Sequence, residues 1–122
     1  AVDPDWEEVH EIQNAALLGY GVGIEKYTGS GGKYSASDAN AEYVGKIRRI
    51  LNEAGVVWQA GELGRVDLGG GGTIAMYLAK RGMDVIDIGV PVVAMHSPFE
   101  ITSKADIYMA FKAYQSFLKS NL

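Results

Sequence analysis

Two histidines and no cysteine bound the metal chemistry open to this chain. His96 stands in Met95-His96-Ser97-Pro98, reached through Val90-Pro91-Val92-Val93-Ala94 from a predicted strand over Met83 to Gly89. That places it near a strand's C-terminal end, where open α/β sheets hold their ligands. Imidazole is a neutral nitrogen donor, and a hydrolytic zinc uses nitrogen and oxygen donors while keeping one position open. A lone histidine makes no metal site, and by spacing alone a ring hydrogen-bonded beside a turn is the better account. Glu100 reads either as an acceptor behind the ring, orienting it, or as the approach to the last helix.

The remaining candidates each have an ordinary reading beside the chemical one. His10 lies in Glu7-Glu8-Val9-His10-Glu11, a solvated helix face before it is a pair of ligands. Asp87 sits in the apolar run Val85-Ile86-Asp87-Ile88-Gly89, so it needs a partner if buried; a structural hydrogen bond or an outward strand position accounts for it better than a metal does. Lys26 ends a predicted strand and could present a charge to a substrate, although a surface lysine is the default. Trp58 and Tyr77 read as core or interface aromatics. Gly69 to Gly72 runs into a helix beginning near Thr73, where exposed backbone N–H groups suit an anion or a carbonyl oxygen. A tight turn explains the same glycines, and no lysine stands in the position a nucleotide-binding loop requires.

Predicted elements surround these residues. Ser37 is a good N-cap for a helix carrying Val44, Ile47, Leu51 and Ala54 and stopped by Gly55. A short helix over Thr73 to Arg81 ends at Gly82. Ser103-Lys104-Ala105-Asp106 resembles a capping box with Asp for Glu, and opens a helix whose Ile107, Ala110, Phe111, Tyr114, Phe117 and Leu118 are expected to form one apolar face. Strands are predicted over Tyr20 to Tyr27, Val56 to Glu62 and Met83 to Gly89, and a short helix opened by Asp3 and Pro4 near the start. The alternation after residue 37 indicates α/β layering, with helices packed on a sheet.

At 122 residues the chain has room for one domain and one core. Fifteen acidic against eleven basic residues, the latter scattered, leave a net charge of −4 and no basic stripe for a nucleic acid. No apolar run is long enough to span a bilayer, and no basic-then-apolar leader opens the chain, so neither membrane nor export is expected. The absence of cysteine is compatible with the cytoplasm.

Several stretches in register resemble the aminopeptidase I / aspartyl aminopeptidase family. They are Lys33 to Glu42 (KYSASDANAE), Val57-Trp58-Gln59, Gly61 to Asp67 (GELGRVD), Gly69 to Ala75 (GGGGTIA), Met83 to Gly89 (MDVIDIG) and Met95 to Pro98 (MHSP). The likeness runs from about Ala1 to the last helix and leans toward the bacterial aminopeptidase I branch. It implies the C-terminal portion of a zinc-exopeptidase catalytic domain (phosphorylase/hydrolase-like, helices on a mixed sheet), with the upstream part of the domain absent from residues 1–122. The family's members are dinuclear zinc exopeptidases that remove N-terminal residues, which implies two zinc ions in the complete enzyme here; the sequence leaves cobalt and manganese open as its native metal.

By that resemblance His96 is a zinc ligand, Gly70, Gly71 and Gly72 border the substrate cleft, and Lys26 faces the substrate side chain. The bridging Asp and the Glu general base are expected upstream of Ala1. The chain starts without methionine, which fits a fragment; alone it is expected to be inactive. Its expected partners are a peptide substrate, the missing N-terminal part and copies of itself, up to a dodecamer. A non-catalytic assembly module and an anion-binding α/β domain remain the alternatives.

Overall fold

The computed structural model describes residues 1, 11–26, 39–61 and 74–121. Its centre is strand β1 (Val22–Glu25), which pairs in parallel with β2 (Trp58–Ala60) and antiparallel with β3 (Asp87–Gly89), giving the order β2-β1-β3. Val22 and Ile24, two positions apart, point to the same face and are buried. Against that face pack Ile47 and Leu51 of helix α1 (Ala41–Glu53) and Ala110 and Ala113 of helix α3 (Lys104–Lys119). Small alanines let α3 approach closely, and each fully buried Val, Ile or Leu contributes roughly 1.5–3 kcal/mol. The mixed α/β layering expected from the sequence is what forms.

Both glycine stops work as expected. After α1, Val56 N–H donates to Leu51 O (2.9 Å) and Gly55 N–H to Asn52 O (3.1 Å). Gly55 is left-handed at φ +62°, which completes a Schellman ending. Helix α2 (Ala75–Ala79) ends likewise at Gly82, φ +78°. The start of α1 differs from expectation. Asn40, not Ser37, is the N-cap, its side chain accepting from Tyr43 N–H at 2.8 Å. Ser37 lies outside the described residues.

The largest correction concerns α3. Ser103 is indeed its N-cap, accepting from Asp106 N–H. Asp106 itself does not reach back to complete a capping box. It is 1 % exposed, and its carboxylate accepts the N–H groups of Gly19 (2.7 Å) and Gly21 (2.8 Å). Gly21 has no substitute there: it sits at φ +90°, and a Cβ would stand 2.2 Å from Val57 O. Gln59 fastens the same loop, accepting from Leu17 N–H (2.9 Å) and donating to Leu17 O (2.9 Å) and Gly21 O (3.1 Å). Nor is α3 apolar on one face only. Asp106, Ala110 and Ala113 turn inward, while Ile107, Phe111, Tyr114 and Leu118 are exposed.

Two strands escape the sequence reading. β4 (Val92–Val93) and β5 (Ile101–Thr102) pair antiparallel, Val92 opposite Thr102 and Val93 opposite Ile101. The predicted helix at Asp3, and His10, lie outside the described residues. No helix is long and apolar enough to cross a membrane among those described.

Candidate functional site

His96 rides at the turn of the β4–β5 hairpin. Pairing of Val93 with Ile101 closes the loop 94–100 between them, and Thr102 Oγ1 adds a bond to Pro91 O at 2.8 Å. Within the loop Ser97 N–H donates to Ala94 O (3.0 Å), and Ser97 Oγ donates to Phe99 O (2.6 Å). Two non-glycine residues are left-handed here, Ala94 at φ +59° and His96 at φ +70°. Each such residue costs about 1–2 kcal/mol, and backbone strain of this kind gathers at functional sites.

Glu100 holds the strained residue in place, but not through the ring. Its Oε1 accepts the backbone N–H of His96 at 2.6 Å. The carboxylate therefore fixes the peptide from which the imidazole projects, and the ring is left exposed to solvent. Neither sequence reading of Glu100 anticipated a bond to the backbone.

Lys26 follows β1 directly, half-buried, its carbonyl accepting from Ala39 N–H at 3.1 Å. By register Lys26 lies at the Asp87 end of the β1–β3 ladder, whereas the chain leaves for His96 from the Gly89 end, beside Gly23. The sheet pairing alone therefore does not bring Lys26 and His96 together. Gly70, Gly71 and Gly72 lie outside the described residues. Asp87 is half-buried in β3, opposite Glu25. Trp58 packs against the core, with its indole N–H donating to Asn52 Oδ1 (2.8 Å) and the Arg48 guanidinium 5.3 Å from its ring centre. Tyr77 is exposed.

As a donor set these residues are incomplete. His96 offers an exposed imidazole on a fixed backbone, which suits a zinc ligand, but among the described residues no three His, Asp or Glu side chains gather around a common point. A tetrahedral site with three protein donors and one open position needs at least two more.

Comparison with known proteins decides the family. Residues 1–118 match the model of the aminopeptidase I zinc metalloproteases, M18. The chain belongs to the M18 family. A probable M18 family aminopeptidase 1 of Thermotoga maritima is 56% identical over 119 residues, covering 98% of this chain and 26% of its own. The crystal structure of an M18 aminopeptidase from the same organism superposes with a TM-score of 0.89 at 55% identity, over 99% of this chain and 27% of that one. Aminopeptidase I from Clostridium acetobutylicum gives 0.83 at 50% identity, over 97% of this chain and 26% of that one. This M18 chain thus spans about a quarter of the length of the relatives it matches. The α/β fold and the aminopeptidase 1 branch are as the sequence motifs implied.

Proposed function

We propose that residues 1–122 are the C-terminal part of the catalytic domain of a zinc metallo-aminopeptidase, which releases N-terminal amino acids from peptides. The observation that carries this reading is the M18 match over residues 1–118, which takes in an exposed histidine at a strained hairpin turn. In this reading His96 is one ligand of a two-zinc site, also open to cobalt or manganese, and Glu100 holds that ligand's peptide in position. Lys26 and the Gly70 to Gly72 backbone border the substrate. Zinc held there would supply a polarised carbonyl and a water whose pKa falls toward about 7. The other ligands and the general base belong to sequence ahead of Ala1. The complete enzyme is a cytoplasmic homo-oligomer, up to a dodecamer, in this proposal.

The test compares zinc content and aminoacyl-anilide hydrolysis in the longer protein before and after His96→Ala. Loss of most of both is expected, because one ligand of the set is gone. Wild-type turnover in the variant would remove His96 from the site. The 122-residue chain alone, loaded with zinc, should hydrolyse nothing, and robust activity would show that the donor set is complete within it.

A further inference from the structure

Residues 94–100 are all exposed and hang from a hairpin with two paired positions. Two of them nevertheless keep a backbone shape that L side chains avoid: Ala94 at φ +59° and His96 at φ +70°. A hairpin this short is marginal by itself and cannot impose such a shape. Bonds within the loop impose it instead. Ser97 N–H donates to Ala94 O at 3.0 Å. Ser97 Oγ donates to Phe99 O (2.6 Å) and accepts from Phe99 N–H (3.2 Å), which staples the stretch between His96 and Glu100. Across that staple the Glu100 carboxylate accepts the His96 N–H at 2.6 Å, a charge-assisted bond of the stronger kind.

We propose that Glu100 is a positioning residue that sets the zinc affinity of the site, by holding the His96 peptide left-handed before the metal arrives. The role rests on His96 being a zinc ligand. Released from the carboxylate, His96 relaxes to negative φ. That turns its Cα–Cβ bond and carries the imidazole away from the point it shares with the other donors. Metal constellations tolerate only about 0.5 Å of misplacement. With the peptide held, the ordering is completed on folding and is not charged against binding. A partner behind a ligating imidazole ordinarily takes the second ring N–H. Glu100 takes the peptide N–H, so it fixes where the ring starts from and not how it is turned. The bond is exposed and joins residues four apart, so its effect falls on the placing of the ring and little on the stability of the domain.

Competition with a chromogenic zinc chelator, run on the longer M18 protein, reads this without recourse to activity. His96→Ala first marks the zinc that belongs to this residue, as the ion no longer retained. Glu100→Ala should raise the dissociation constant of that zinc about tenfold or more, whereas Glu100→Gln, which keeps an acceptor oxygen, should stay within about threefold of the parent. A rise of less than about threefold in Glu100→Ala would overturn the proposal. So would a Gln variant as weak as the Ala variant, because the loss would then follow the charge and not the bond to the peptide. A fall in the urea midpoint of Glu100→Ala as large as that of Asp106→Ala would also overturn it, by making the bond part of the scaffold. A His96→Ala protein that keeps all its zinc sinks the ligand assignment, and this inference with it. Loss of one ion there, with Glu100→Ala binding like the parent, sinks this inference alone.

Discussion

Asp106 and Glu100 perform the same local act in two regions of very different character. Each carboxylate accepts backbone N–H groups of a loop in an unusual conformation: Asp106 from Gly19 and Gly21, Glu100 from His96. Asp106 is buried and Glu100 exposed. Where water is excluded, a charged acceptor that loses its place leaves donors with no alternative, so the bond becomes part of the fold's stability. Where water is at hand the same bond orients without holding the domain together. The loop at Gly21 is locked by glycine geometry and by Gln59 as well, while the loop at Ala94 and His96 stores strain on a hairpin of two paired positions. Rigid scaffold and exposed candidate site thus use one chemistry, and burial decides which role it plays.

The comparison breaks first at Asp106. Asp106→Ala removes two charge-assisted bonds and strands the buried Gly21 N–H, so we expect a loss of about 3 kcal/mol in urea unfolding. A change near zero would mean that Gln59 and the helix contacts hold the loop without it. Glu100→Ala should leave global stability within about 0.5 kcal/mol of the parent, as an exposed site does. Amide exchange at His96 should nevertheless quicken, and a stability loss equal to that of Asp106→Ala would remove burial as the difference between the two regions.

The smallest effect is alkaline. Burial raises the Tyr114 phenol above its usual value, and its O–H donates to Ile88 O at 2.8 Å. Burial, and then the charge of Asp84, raise Tyr43. A raised folded-state value favours the neutral phenol, so this stability is fully present below about pH 10 and is lost as pH rises through the folded value. Tyr114→Phe should flatten that loss, leaving the part due to Tyr43; an unchanged slope of unfolding midpoint against pH would show that the phenol ionises as freely in the fold as out of it.

What the sequence made legible is what local chemistry decides. Ser103 as N-cap, Gly55 and Gly82 as stops and the alternation of elements depend on neighbours within a turn or two. Asp106 looked like half of a capping box because its spacing from Ser103 is right. Its real partners, Gly19 and Gly21, are more than eighty residues away, and no local pattern reports them. The same blindness merged the two stripes of α3, since apolar residues one position apart in sequence diverge by about 100° around the helix. β4 and β5, two residues each, are too short for any period to show. At the candidate site, His96 became more than an ordinary histidine through the motif resemblance. Its left-handed backbone is invisible in sequence because glycine is the usual marker of positive φ.

The hairpin bearing His96 runs through Ile101 and Thr102 straight into Ser103, the cap of α3. The joint is therefore a lever. Asp106, one turn in, is its fulcrum; the hairpin is the short arm, and the sixteen residues of α3 make a long arm of about 24 Å. A long arm clamped at its far end defines an angle finely, because a displacement of an ångström near Leu118 reaches the short arm as a fraction of one. The capped start of α3 thus fixes the direction in which the hairpin bearing His96 leaves the core.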